Sequence, residues 1–135
     1  MTNVSKNKLK KKVEQDMYKH MVQLFSITTN HTAGVFCDEL FTSAEKTMLA
    51  KRIAAIALLG SGVSMYRVSR TLKLSHTTVK KYQRELTQGK YAMIRKTLRK
   101  EEFDWKSFWE TVEKISRGGL PPMDGRRWQS LHGGR

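Results

Sequence analysis

Residues 64–86 read SMYRVSRTLKLSHTTVKKYQREL. Ser64 can cap a short helix, and Val68, Ser69 and Leu72 fall on its inward side. Lys73-Leu74 make a turn. Ser75 can cap a second helix whose inward residues are Val79, Tyr82 and Leu86. Ser69 is small where two crossing helices would approach most closely. This leaves His76, Thr77, Thr78, Lys80, Lys81 and Arg84 on or near the outer face of the second helix. A helix that enters the major groove of a duplex needs that order, with short polar groups at its start for base edges and cations further along for phosphates. The spacing therefore predicts a helix-turn-helix over 64–86, with 75–86 as the recognition helix. An ordinary helical hairpin would not require cations gathered on its second helix.

The order of side chains suggests roles. His76, Thr77, Thr78 and Lys80 are the candidates for base edges, since a Thr methyl can meet a thymine methyl and Lys can donate to guanine. Local helix capping is the competing role for Thr77 and Thr78. Ser75, Lys81 and Arg84 are assigned to phosphates, with Arg67, Arg70 and Lys73 on the flanking backbone. Lys73 stands where such turns often carry glycine; a positive φ there costs on the order of 1–2 kcal/mol. Neutralising roughly six to ten phosphates makes affinity fall about 10³–10⁵-fold between 50 and 200 mM salt.

The rest of the composition agrees with a polyanionic partner. The chain has 135 residues, a formal charge of +14 and a pI near 10.2. Between Ser64 and Lys100 eleven Lys and Arg face one acid, Glu85, a local excess of +10. A field concentrated on a patterned motif points to nucleic acid rather than to solubility alone. At 39% hydrophobic residues the chain can build a core. Cys37 is the single cysteine, so no internal disulfide or multi-cysteine zinc site can form, and its neighbours Val35, Phe36 and Leu40 suggest a buried thiol. The N-terminus is Lys-rich without an apolar signal core, and the run Ile53 to Leu59 is too short to span a bilayer. A cytoplasmic, nucleoid-associated protein with no membrane partner is expected.

Outside the motif the pattern is helical throughout. Residues 1–7 read as a disordered basic arm. A helix is expected from about Lys8 to Phe25, with Val13, Met17, Met21, Leu24 and Phe25 as a core-filling stripe. Asn30 is the expected cap of a short helix from His31 to Leu40. Thr42-Ser43-Ala44-Glu45 fits a capping box. The helix it starts carries Met48, Leu49, Ile53, Ile56, Ala57 and Leu59 to a stop at Gly60-Ser61-Gly62. After Gly89, a basic amphipathic helix is expected over Tyr91 to Lys100. Asp104 can cap a last one bearing Trp105, Phe108, Trp109, Val112 and Ile115. The fold class is all-α: a helix-turn-helix domain over 8–89, a helical extension over 90–118 and a flexible tail over 119–135 with Arg126, Arg127, Trp128 and Arg135.

No catalytic constellation accompanies this pattern. His20, His31, His76 and His132 lack metal-binding spacing, and Cys37 has no histidine nearby in sequence. Glu101, Glu102 and Asp104 cluster near a helix start, where carboxylates offset the macrodipole. No phosphate-loop or dinucleotide-binding fingerprint occurs. Neither an enzyme nor a metal protein is expected.

From about Met21 to Gly89, roughly half of the chain, the sequence resembles the Trp repressor superfamily. The points of match are FTSAEKTMLAKRIAAIALLGSG and SMYRVSRTLKLSHTTVKKY, through Phe41-Thr42, Glu45, Leu49, Arg52, Gly62, Thr78-Val79 and Lys81. The likeness is to small stand-alone members rather than to the tryptophan-sensing repressor itself. It implies a homodimer with interleaved N-terminal helices and two recognition helices about one DNA turn apart on a pseudo-palindrome. Members that sense tryptophan hold the indole between two arginines, which correspond here to Arg52 and Lys81. Lys81 cannot stack as a planar guanidinium does, so no cofactor is expected and a tryptophan-like corepressor is disfavoured. The part from about residue 91 exceeds the family's short ending and could add a dimer element, a second DNA contact or a partner site.

The expected function is that of a sequence-specific double-stranded-DNA-binding regulator, a dimeric repressor acting sterically at an operator. One rival is the DNA-binding component of a mobile element or replication initiator. Another is a basic architectural or RNA-binding protein, which would favour exposed aromatic platforms.

Overall fold

Helix ends in this chain are written by local hydrogen bonds, and most fall where capping residues stand. The computed structural model describes residues 8–116, with side chains to Lys114, and these residues contain seven α-helices and no strand. The chain is all-α. The arm at 1–7, the tail at 119–135 with Trp128, and the side chain of Ile115 lie outside the described residues. The helices are α1 (Lys11–Ser26), α2 (Ala33–Leu40), α3 (Ser43–Gly60), α4 (Met65–Leu72), α5 (His76–Thr87), α6 (Ala92–Leu98) and α7 (Trp105–Ser116). Among the described residues no helix is long and apolar enough to cross a membrane. The chain divides into two units, one ending at Leu49 and the next beginning at Ala50, so the division falls within α3.

In the first unit, Phe25 meets Phe36 edge-on at 5.0 Å and stacks on Phe41 at 6.2 Å. The capping box forms as expected: the Thr42 N–H donates to Glu45 Oε1 at 2.9 Å, and the Glu45 N–H donates to Thr42 Oγ1 at 3.1 Å. Each bond satisfies a backbone donor at the start of α3. Four expectations fail here. The stripe of α1 does not fill a core: the helix buries no residue, and Val13, Met17 and Leu24 are 43%, 58% and 51% exposed. Only Met21 and Phe25 of that stripe are half-buried. Cys37 is half-buried rather than buried, because Val35 and Leu40 beside it face solvent. Asn30 is not the cap of α2. Thr32 precedes that helix, and its hydroxyl turns back to accept the Thr29 N–H at 3.1 Å. Helix α1 starts at Lys11 rather than Lys8, at a boundary with no side-chain cap.

The second unit holds the core. Helix α3 ends with Gly62 at φ 91°, and the Val63 N–H reaches back to the Leu58 carbonyl at 3.0 Å. This six-residue closure places Val63 against the core. Ala55, Leu58, Val68, Val79, Trp105 and Trp109 form the centre of the apolar cluster. Small Ala55 and Ala57 are buried in α3, whereas Ile53 is exposed. Asp104 caps α7 by accepting the Ser107 N–H at 3.0 Å. Trp105 is buried, and its indole N–H donates at 2.7 Å to the Leu98 carbonyl, an acceptor left free by the end of α6. Helix α4 packs on both α5 and α7. Trp109 is 1% exposed. Trp109→Ala is expected to cost about 3–5 kcal/mol, read as a lowered urea midpoint.

Candidate nucleic-acid interface

The geometry of the α4–α5 pair starts from two serine caps. Ser64 Oγ accepts the Arg67 N–H at 3.2 Å, and Ser75 Oγ accepts the Thr78 N–H at 3.1 Å. Between the helices Lys73 is left-handed, at φ 54° and ψ 50°. The Leu74 N–H then reaches the Ser69 carbonyl at 3.0 Å. Gly62 and Gly89 end α3 and α5 with the same hand. At Lys73 a side chain with a Cβ takes that conformation, at a cost on the order of 1–2 kcal/mol. Ser69 offsets it: its hydroxyl donates to the Leu74 carbonyl at 2.6 Å, so one buried residue holds both ends of the turn.

This turn sets which side of α5 faces out. Val79 is fully buried and Tyr82 and Leu86 are half-buried, as the spacing predicts. His76, Thr77, Lys80, Lys81 and Arg84 are exposed, as are Ser75 on the cap, Lys73 on the turn and Arg67 and Arg70 on α4. Thr78 is half-buried, and its Oγ1 accepts from the Ser75 hydroxyl at 2.9 Å. Both side chains are thus engaged in capping, and the hydroxyl hydrogen of Ser75 is already spent. A feature the spacing did not single out is Tyr66. Its ring stacks on His76 with centroids 6.2 Å apart and planes 22° apart, and its hydroxyl accepts from Arg70 Nη1 at 3.1 Å. The Tyr66–Arg70 half of this cluster has the i, i+4 spacing of a helical pair; the His76 half exists only because α4 and α5 cross.

The cations of this face make few close pairs with carboxylates, Lys81 being the one that Glu85 feels. The ion pairs Lys12–Asp16, Lys46–Asp38 and Lys90–Glu85 involve none of Arg67, Arg70, Lys73, Lys80, Lys81 and Arg84. Glu85, the one acid in this stretch, is drawn to the other side. Its carboxylate accepts from the Tyr91 hydroxyl and pairs with Lys90 at 3.4 Å. The Tyr91 hydrogen bond, helped by Lys90, holds the Glu85 carboxyl below its usual range. Burial, reinforced by the bond to Glu85, pushes the Tyr91 phenol up to about 12.

The two positions matched to an effector site differ in exposure. Arg52 is half-buried and its Nε–H donates to the Tyr82 hydroxyl at 3.4 Å. Lys81 is exposed. Among the described residues no group of three or more His, Cys, Asp or Glu could hold a metal ion. Comparison with family models, with curated proteins and with solved structures finds no match to this chain.

Lys73→Gly relieves the left-handed strain but adds backbone freedom worth about 0.5–1 kcal/mol. A net gain of roughly 0.5–1 kcal/mol is expected in urea denaturation. The Glu85–Tyr91 pair gives stability a pH signature. Tyr91 favours the fold fully below pH 10, its ordinary value, and that contribution is lost as pH rises through about 12. Glu85 contributes above its ordinary value of 4.5, and the contribution is lost as acid protonates it. Urea midpoints across pH should show Tyr91→Phe flattening the alkaline limb and Glu85→Gln flattening the acid limb.

Proposed function

We propose that α4, the turn and α5 form a helix-turn-helix of the Trp repressor type, and that the chain binds double-stranded DNA as a dimeric regulator rather than acting as an enzyme. The observation that carries this reading is the outer face of α5: exposed, rich in cations, and oriented by a turn closed at Ser69. Thr77 and Lys80 reach base edges from the first turns of the helix. Lys81, Arg84, Arg67, Arg70 and Lys73 meet phosphates on either side. Thr78 and Ser75 serve instead to cap α5, which leaves backbone N–H groups at its start for the anion. A dimer bound at an operator blocks polymerase sterically.

The second copy is supported by α1. Val13, Met17 and Leu24 present an exposed apolar stripe, and a helix with no fully buried residue gains stability from a partner. No corepressor enters the mechanism, since Tyr82 lies against Arg52 and Lys81 points to solvent on the DNA side.

Selection on random duplexes tests the reading. A palindrome with half-sites one turn apart is expected. An asymmetric or terminal-repeat site would favour a mobile-element or initiator subunit, and equal affinity for folded RNA an architectural protein. Thr77→Ala with Lys80→Ala should relax base preference at a cost of about 1–3 kcal/mol. Lys81→Ala should weaken all sequences alike and lower the salt slope by about one. Met17→Glu should lower the molecular mass found by ultracentrifugation to that of one chain.

A further inference from the structure

We propose that Tyr66 is a positioning residue of the DNA-reading surface: its ring holds the His76 imidazole for a base edge and the Arg70 guanidinium for a phosphate, in one fixed relation. The inference rests on the DNA-binding reading above and deepens it, since that reading leaves Tyr66 and His76 without a role.

The three side chains come from two helices and meet outside the core. Tyr66 is 57% exposed, and Arg70 and His76 are exposed too. Val68 of α4 and Val79 of α5 are fully buried in the apolar cluster, and an exposed ring adds little to it. The ring planes of Tyr66 and His76 lie 22° apart with centroids at 6.2 Å, inside the range over which aromatic rings attract. The Arg70 guanidinium carbon is 5.6 Å from the Tyr66 centroid, within reach of a cation–π contact, and its Nη1 donates to the Tyr66 hydroxyl at 3.1 Å. One ring thus restrains a side chain on each helix.

His76 places this cluster on the face that carries the proposed contacts. It opens α5, and Lys80 and Arg84 follow it at intervals of four, so the three share one side of the helix, and all are exposed. Tyr66 and Arg70 are likewise four apart on α4. The stack therefore sets the exposed side of α4 against the first turn of that stripe. Both held groups keep what a duplex requires. A guanidinium has five N–H donors, so the one spent on the hydroxyl leaves others for a phosphate oxygen. An imidazole stacked by its face keeps both nitrogens at its edge, where a base pair presents donors and acceptors of its own. A side chain that is free before binding and fixed after it forfeits roughly 2- to 10-fold in affinity, and a pre-set one does not.

The test is a double-mutant cycle on the affinity of the full chain for the duplex recovered by the selection above and for a scrambled duplex of equal length. Tyr66→Leu removes the ring, and Tyr66→Phe keeps the ring without its hydroxyl. Each is combined with His76→Ala and with Arg70→Gln, and urea midpoints are measured for all. Loss of either partner should shrink the effect of Tyr66→Leu on the selected duplex by about 2- to 10-fold. Tyr66→Leu should also relax preference at the same base pair of each half-site as His76→Ala does. Tyr66→Phe should leave that base pair read and weaken both duplexes alike, through Arg70. Urea midpoints should stay near that of wild type. An effect of Tyr66→Leu that is the same without His76, or the same without Arg70, overturns this inference alone. So does a loss of affinity that tracks a lowered urea midpoint, since the ring would then serve the fold. Failure of wild type to prefer any duplex overturns the inference together with the reading beneath it.

Discussion

The arrangement of the basic face depends on one closure: Ser69 accepts the Leu74 N–H with its carbonyl and donates to the Leu74 carbonyl with its hydroxyl. A buried hydroxyl must find a partner, and this one finds it across the turn rather than along its own helix. The pair of bonds sets where the chain leaves α4 and where α5 begins. It also holds Lys73 in a backbone region that a lysine would not choose. A larger residue at 69 would separate the two helices, and an alanine would leave the Leu74 carbonyl without this donor. Val79 enters the core only because the turn delivers α5 at that angle, and the outward set from Thr77 to Arg84 follows from the burial of Val79.

Charge placement is the second constraint. A basic stretch with an acid in it can neutralise itself, and the excess field then collapses into local ion pairs. Here Glu85 is removed from that role by Tyr91 and Lys90, which hold it ionised on the side facing α6. The same pair joins the end of α5 to the start of α6, so one carboxylate serves both electrostatics and architecture. The buried indoles act comparably. Trp105 fills the core and, by bonding the Leu98 carbonyl, ends α6 without a glycine.

Helix ends were legible in the sequence wherever the capping group and its target lie within a few residues. Thr42 with Glu45, Ser64, Ser75 and Asp104 all bond the backbone three positions away, and their types announce it. Where the boundary lacks such a residue, as at Lys10 and Thr32, the expected ends shifted by two or three positions. The inward residues of α4 and α5 were legible for a related reason, since helical spacing alone sorts Val68, Leu72 and Val79 onto one side.

By itself, then, the sequence determined an all-α chain, the caps, the side of each motif helix that turns inward, and the concentration of positive charge between Ser64 and Lys100, because each of these depends on neighbours within about two helical turns. Only the tertiary structure decided what the stripes and the aromatic rings do. An apolar stripe has the same spacing whether or not anything covers it, so exposure of α1 could not be read from Val13 and Met17. The stacking of Tyr66 on His76 and the contact of Arg52 with Tyr82 likewise depend on how rigid helices meet. Those outcomes are set by packing across the chain, which no local pattern encodes.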